Sequence, residues 1–529
     1  MDSEMLKSAK LGSIVPVYTK IKTDISPVDY FAKISDYGRK SNSFLLESAE
    51  ILPVYGERSF GSADPCLRLC GYKKDFSIEA LSESGEDFLK FLKNKLDFCD
   101  RIKYGKEKIE GEMKPQRRAV SEEERLKLKT HADIIRSVAF AFSPAKSPVP
   151  QYAGLFGTIS YDFIDQFEDL PEYKEDILKD YDYDMYFADN LFYFDHKNSE
   201  LYLISNMLIA HDGIGSIRKR CEKNIEKYKK AISFDVKPRK FEKQSGKIIS
   251  DTSQQEYEDI VRKMKGHIEN GDVFQAVPSR TIIADYNCEE LDIYKTLREI
   301  NPSPYMYFFN TGDFLIGASP EKYISVSDGI VEIKPIAGTK PRGTVDGKID
   351  ADLDSRYETE LKTDFKELAE HTMLVDLARN DVARISEPGT RYVLNPYVAE
   401  KYSHVQHMVS TVRGKLKKDL DPLHAYLASM NMGTLTGAPK VEAMKLLRRY
   451  EKTRRGFYGG SVCYITPSGD MDSAIVIRTM RLKGKKAYIR VGAGIVYDSV
   501  PEKEYEETER KAASCIHALE LAGGISYEK

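Results

Sequence analysis

Residues 458–497, YGGSVCYITPSGDMDSAIVIRTMRLKGKKAYIRVGAGIVY, decide the reading of the fold. Three β-rich runs, YGGSVCYI, SAIVIRTMRLKG and KAYIRVGAGIVY, follow one another across hairpin-like turns at SGD and KGKK. Val, Ile and Tyr favour the pleated conformation, and short polar turns between such runs join antiparallel neighbours. Outward from this stretch, helix and strand signals alternate. EYEDIVRKMKGHIENG (256–271) has helical periodicity and precedes the strand-like VFQAVPSRTIIA (273–284). DIYKTLREI (292–300) then reads as a helix and YMYFF (305–309) as a strand. A large, partly antiparallel sheet with helices follows, so the class is α+β rather than a simple doubly wound fold.

The 529 residues balance 80 Lys and Arg against 83 Asp and Glu, a net charge of -3. That removes any global electrostatic case for nucleic acid or an acidic membrane as partner. No apolar run approaches the about 18–20 residues that span a bilayer, and MDSEMLKSAKLGSIVPVYTK lacks a signal-peptide pattern. The seven cysteines are scattered, only Cys66 and Cys70 lie close, and no second pair completes a zinc site. A cytoplasmic protein with reduced thiols is expected. Charged or Pro- and Gly-containing stretches at Arg101–Lys129 and Phe234–Thr252 read as surface or connecting segments. The second divides the chain into regions 1–235 and 250–525, which are expected to interleave structurally.

Carboxylates spaced three apart occur in TDFKELAEHTMLVDLAR, as Glu367 and Glu370, and in PEKEYEETERKAA, as Glu504 and Glu507. This spacing puts both members of a pair on one helix face. The first helix also carries Leu368, Leu374 and Leu377, and buried carboxylates need a counter-charge. Two such faces brought together suit Mg²⁺, which takes one or two protein carboxylates and keeps waters or an anionic ligand. Gly338 and Thr339 in PIAGTKPRG, and Gly492, Ala493 and Gly494 in GAGIV, permit close approach of an anion to backbone. Arg478, inside the apolar AIVIRTM, needs an anionic partner that a substrate carboxylate would supply. GTLTGAPK fails as a phosphate-binding loop because its glycines are misspaced. His404 and His407 lack a third zinc ligand, so a single histidine moving a proton is the better reading. The cluster Arg448, Arg449, Lys452, Arg454 and Arg455 reads as a solvated helix face. The residues alone describe a Mg²⁺ enzyme for a small polycarboxylate.

In order along the chain, PIAGTKPRG, ELAEHTMLVDLARND, GTLTGAPK, FYGG and GAGIVYDSVPEKEYEET resemble the chorismate-utilising enzymes. Over nearly the whole chain, including LLESAEI, LRLCG, ALSESGEDFL and GLFGTISYDFIDQFEDLP, it is similar to the large-subunit family of anthranilate synthase. The resemblance implies a large two-lobed sandwich of mostly antiparallel β-sheets with helices packed outside. It implies Mg²⁺ on Glu370 and Glu507, supported by Glu367 and Glu504, clamping the ring carboxylate of chorismate. Gly338, Thr339, Tyr458, Arg478 and the Gly492, Ala493, Gly494 turn would bind substrate, with Arg478 on the enolpyruvyl carboxylate.

By the same resemblance, Glu321 in GASPEKY protonates the departing hydroxyl, ammonia adds to the ring, and His407 serves pyruvate elimination. Siblings that add water use a lysine where Gln275 stands, and 4-amino-4-deoxychorismate synthases commonly have a lysine where Ala337 stands. Glutamine is no general base and alanine no nucleophile, so both positions favour anthranilate. The chain lacks a GxCxGxQ glutaminase signature, which implies a separate glutamine amidotransferase subunit in a heterotetramer. L-Tryptophan as feedback inhibitor would sit on Glu47, Ser48, Pro304, Tyr305 and Met306. PVYGERSFGSADP, after LLESA, departs from the family pattern. The alternatives are aminodeoxychorismate synthase component I and a non-catalytic tryptophan-sensing subunit.

The chain contains no tryptophan beside 33 tyrosines and 23 phenylalanines. An enzyme opening the tryptophan pathway is needed when charged tryptophan tRNA is scarce, and a Trp-free chain could still be translated. A genome poor in Trp codons is the rival cause, separable by counting Trp in unrelated proteins of the same source.

Overall fold

The computed structural model describes residues 10–48, 58–115, 122–145, 147, 152–345, 347–402 and 405–527. His404 lies outside them, as do residues 53–57 of the divergent segment after LLESA. Two large sheets dominate. One has twelve strands, running from Ile248–Ser250 through Ser279–Asp285, Lys486–Gly492, Thr479–Lys483, Phe314–Ser319 and Tyr305–Asn310. It continues through Ser43–Glu47, Arg58–Ser62, Asn190–Asp195, Glu200–Leu208 and Ser13–Lys22 to a short parallel strand, Ser143–Pro144. The other has thirteen strands and includes Ile336–Pro341, Val405–Lys415, Lys322–Ser327, Met471–Ile475, Ser461–Ile465, Gly154–Ile159 and Tyr183–Ala188. Both sheets take strands from before and after residue 235.

The sheets face each other across an aromatic layer formed by Phe44, Tyr307, Phe309 and Leu315 from the first and Phe156, Tyr186 and Val462 from the second. Phe44 stacks on Phe156 at 4.9 Å between centroids and on Phe309 at 5.7 Å. Opposite faces of the same strands carry helices. Met306 and Phe308, alternating with Tyr307 and Phe309, join a core with the Glu290–Ile300 and Pro501–Ala522 helices. Strands covered on both faces lose the apolar–polar alternation, which is why YMYFF reads as an unbroken apolar run. On the second sheet, Phe365–Ile385 and Pro422–Ser429 are among the helices closing the outer core. The α+β sandwich with outer helices is thus the observed architecture.

The hairpins at SGD and KGKK are present: Ser461–Ile465 pairs with Met471–Ile475, and Thr479–Lys483 with Lys486–Gly492. SAIVIRTMRLKG, read as one strand, is two. Met471–Ile475 belongs to the thirteen-stranded sheet and Thr479–Lys483 to the twelve-stranded one. The break falls at Arg478, whose φ of +51° no strand residue adopts. Part of the charged Arg101–Lys129 stretch is ordered too, as an edge hairpin of Arg101–Tyr104 and Lys108–Glu112.

The basic cluster near residue 450 is corrected by the fold. Arg448 and Arg455 are 4% and 2% exposed. Arg448 meets Asp162 and Asp165, Arg454 meets Asp162, Asp176 and Asp182, and Arg455 meets Glu451. Most of these partners lie over 270 residues away, so nothing in the local sequence announced that the charges were paired. Lys452 and Arg449 alone keep the solvated character expected of the whole run.

Candidate active site

The edges of both sheets and two helix faces enclose a cavity of about 670 Å³. It gathers residues spread from Gln275 to Lys511. The Phe365–Ile385 helix, N-capped by Asp364 on the Lys366 and Glu367 amides, contributes Glu367 and Glu370. The Pro501–Ala522 helix, with Pro501 in its first turn, contributes Glu504 and Glu507. The spacing of three places each pair on the cavity face of its helix.

Burial raises the Glu370 carboxyl above its ordinary range, and the charge of Glu507 adds to this. Burial likewise raises Glu367 and Glu504, reinforced by repulsion from Glu370 and Glu507 respectively. Glu507 resists its own burial and stays low because Lys511 lies 2.6 Å from its Oε1. Four carboxyls with too little counter-charge are a donor set for a divalent cation. Among the described residues no three His, Cys, Asp or Glu side chains converge tightly enough to hold a metal by themselves. Mg²⁺ held here would take Glu370 and Glu507 and complete its shell with water and ligand oxygens.

On the opposite wall, Ile336–Pro341 pairs with Val405–Lys415 so that Thr339 faces His407. His407 Nδ1 lies 2.9 Å from Thr339 Oγ1 and 3.2 Å from the Gly338 carbonyl. A carbonyl only accepts, so Nδ1 carries the proton and Nε2 is the basic nitrogen. Burial lowers this imidazole, keeping it neutral. Gly338 has φ +70°, and a Cβ there would stand 2.8 Å from Glu367 Oε2. A Cβ at Gly494 would meet the end of the Gln275 side chain, Nε2, at 2.7 Å.

Glu321 and Arg478 occupy the floor. Burial pushes the Glu321 carboxyl up to about 7, with Thr434, Lys511 and Arg478 partly opposing it. Its Oε1 is buried without a hydrogen-bond partner among the described residues. Arg478 has no ion pair or side-chain hydrogen bond among them, and burial lowers its guanidinium. A guanidinium held this way awaits an anion. Tyr458, Gly492 and Gly494 line the same cavity. Ala493 does not, because its side chain packs with Tyr257 and Ile260 while its N–H donates to the Pro278 carbonyl and Tyr257.

Gln275 is buried and donates from Nε2 to Glu370 Oε1 at 3.0 Å. Ala337 lines the cavity with no functional group. Sequence reasoning passed over Lys511, which also donates to the Gly492 carbonyl at 2.9 Å. Its position four residues after Glu507 was the available signal. It also passed over Thr434. GTLTGAPK, no phosphate loop, brings Thr434 to the cavity and uses Gly437, at φ +120°, where a Cβ would lie 2.0 Å from the Gln275 carbonyl.

The residues matched to an inhibitor gather elsewhere, between Ser43–Glu47 and Tyr305–Asn310, where Glu47 pairs with Met306. Glu47 Oε2 accepts from Tyr294 at 2.5 Å and lies 3.4 Å from Arg298 Nε. Its Oε1 and the Ser48 hydroxyl are buried with no partner among the described residues. Pro304 is buried, and the hydroxyl of the next residue, Tyr305, donates to Asp472 at 3.4 Å.

The family model of the chorismate binding enzymes matches residues 100–517, a span that contains every residue lining this cavity. The chain belongs to that family. It is 39% identical to anthranilate synthase component 1 of Buchnera aphidicola subsp. Baizongia pistaciae over 519 residues, covering 96% of this chain and 97% of that one. It is 40% identical to the Vibrio cholerae protein of the same name, covering 91% and 92%. The crystal structure of anthranilate synthase component I from Streptococcus pneumoniae TIGR4 superposes with TM-score 0.70 at 30% identity, covering 88% and 93%. The menaquinone-specific isochorismate synthase of Escherichia coli shares the fold, with TM-score 0.65 at 14% identity.

Proposed function

We propose that this chain is the large subunit of an anthranilate synthase, a lyase that converts chorismate and ammonia to anthranilate, pyruvate and water. The observation that carries the choice among chorismate enzymes is the pair Gln275 and Ala337, both on the cavity wall. Neither can activate water or attack the ring, so the entering nucleophile comes from outside the chain.

Arg478 binds the enolpyruvyl carboxylate, and Gly338, Thr339 and Tyr458 fix the ring. Glu370 and Glu507, backed by Glu367 and Glu504, hold Mg²⁺, which when bound offsets the negative charge of the ring carboxylate. Ammonia bonds to the ring carbon next to the carboxylate while the 4-hydroxyl departs on the other side of the conjugated system. Glu321, half protonated near neutrality, gives that hydroxyl its proton so that it leaves as water. His407 Nε2 then takes the proton from the aminated carbon, the bond to the enolpyruvyl oxygen breaks, and the released enol takes up a proton to become pyruvate. The ring is left aromatic.

The ammonia is taken to come from a glutamine amidotransferase partner, in a heterotetramer, because this chain has no glutaminase signature. L-Tryptophan is taken to inhibit at Glu47, Ser48, Pro304, Tyr305 and Met306, where an unpaired carboxylate oxygen suits its ammonium group. Seven free cysteines accord with a cytoplasmic setting, and no helix among the described residues is long and apolar enough to cross a membrane. The test is incubation with chorismate, Mg²⁺ and ammonium, without any partner. Fluorescent anthranilate and pyruvate in equal amounts are expected, and a 4-amino product would overturn the reading in favour of aminodeoxychorismate synthase.

A further inference from the structure

Glu321 and Arg478 share an unusual position: each sits where the chain crosses from one large sheet to the other. Phe314–Ser319 belongs to the twelve-stranded sheet and Lys322–Ser327 to the thirteen-stranded one, so Pro320 and Glu321 form the first crossing. Met471–Ile475 and Thr479–Lys483 lie in opposite sheets, so Val476–Arg478 forms the second. The crossings are laced together. The Ile475 N–H donates to the Glu321 carbonyl at 3.0 Å, and the Ala318 N–H to the Arg478 carbonyl at 3.1 Å. A small shift of one sheet against the other therefore moves the acid and the anion-binding guanidinium together.

Tyr305 spans the same junction. Its backbone pairs with Ser319, the last residue before the first crossing, and Met306 beside it pairs with Glu47. Its hydroxyl reaches across to Asp472 Oδ1, in the strand that leads into the second crossing. Asp472 in turn pairs with Ser325 and attracts Lys322, the residue after Glu321. At 3.4 Å the Tyr305–Asp472 contact is longer than the usual O–H···O bond.

We propose that Asp472 is a positioning residue: through Tyr305 it couples a ligand held at Glu47 and Met306 to the placement of Glu321 and Arg478. This rests on the proposed function above, in which that ligand is tryptophan. An occupant held against the paired ends of the Glu47 and Tyr305 strands changes the Tyr305–Asp472 contact and turns both crossings out of the geometry chorismate needs. Asp472 touches neither ligand. It biases an arrangement on which both sites depend.

The test uses the full chain with chorismate, Mg²⁺ and ammonium, and compares wild type with Asp472→Asn. Three quantities are measured: turnover without tryptophan, the tryptophan concentration for half-inhibition, and tryptophan affinity by calorimetry with and without chorismate. Coupling is reciprocal, so in wild type chorismate weakens tryptophan binding by a factor of order ~5–150. In the variant, tryptophan affinity alone and basal turnover stay near wild type, half-inhibition needs at least ~10-fold more tryptophan, and the chorismate effect falls toward one. Asp472→Ser withdraws the same acceptor from the Tyr305 hydroxyl and shows the same loss of coupling, which keeps the proposal testable if Asp472→Asn does not fold. Wild-type inhibition in either folded variant overturns the proposal. So does an Asp472→Asn protein that no longer binds tryptophan, since Asp472 would then belong to the ligand pocket. A wild type that never binds tryptophan would refute the underlying reading instead.

Discussion

At Glu321, burial disfavours the carboxylate while Arg478 and Lys511 only partly favour it, so the group titrates near about 7. An acid that must be protonated to act loses activity as pH rises through that value. The turnover of the wild type is therefore expected to fall above neutrality, and Glu321→Gln to lose about 10²–10⁴-fold and with it that limb of the pH profile. Stability moves the same way. A carboxyl with a raised folded pKa contributes stability below its unfolded pKa and loses it as pH rises through the folded value. Between roughly pH 4.5 and 7 the wild type gives up this contribution, while the Gln variant does not, so the melting temperature of the Gln variant should rise relative to that of the wild type as pH increases across this range. A Gln variant that kept the alkaline limb would assign it to another group. Glu321 was legible in GASPEKY only through resemblance, because the burial that raises its carboxyl is created by the fold, and Thr434, Lys511 and Arg478, which partly oppose it, lie more than a hundred positions away. His407 was legible as a proton carrier, but the partner that fixes its tautomer, the Gly338 carbonyl, appears only once Ile336–Pro341 lies beside its strand.

Elements explain why some of the site was readable. The glutamate pairs are local facts of helical spacing, and their placement on one face survives any tertiary arrangement. What spacing could not reveal is that the two helices face a common cavity, or that Gln275 is tied to Glu370. Glu507→Ala is expected to cut turnover by more than ~100-fold and to remove its dependence on added Mg²⁺, and unchanged Mg²⁺ dependence would detach Glu507 from the metal. A second test concerns the strand opposite. Gly338→Ala places a Cβ at φ +70°, costing about 1–2 kcal/mol, and drives it toward Glu367 Oε2 and Leu361. A lowered denaturation midpoint together with weakened Mg²⁺ activation is expected, and a variant as stable and active as wild type would show that the turn relaxes freely. The arginines near residue 450 show the converse limit, since their helical setting suggested solvent and only Asp162, Asp182 and Glu451 reveal their burial.

Across the whole molecule, hairpin turns and β-rich runs carried the fold class, whereas the crossings between sheets left almost no trace in the sequence. Arg478 takes a left-handed backbone conformation without the Gly or Asn that would have marked it, so SAIVIRTMRLKG reads as continuous. The absence of tryptophan acquires a structural side as well: the layer between the sheets is filled by phenylalanine and tyrosine, such as Phe44, Phe156, Tyr186 and Phe309. A packed layer of this kind needs both sheets, and each sheet needs both halves of the chain. Ser43–Glu47 hydrogen-bonds to Tyr305–Asn310 on one side and Arg58–Ser62 on the other, while Gly154–Ile159 lies between Ser461–Ile465 and Tyr183–Ala188. Cutting the chain near residue 240 would strip these strands of a neighbour and expose half of the aromatic layer in each fragment. Fragments 1–235 and 250–529, expressed separately, are therefore expected to lack cooperative thermal unfolding and to aggregate through their open strand edges. Expressed together, they should pair at these same strands and recover a single melting transition with chorismate-dependent activity. A fragment that alone gave a sharp melt and dispersed amide resonances would show that it closes its own sheets, and that the pairing between halves is not what holds this fold together.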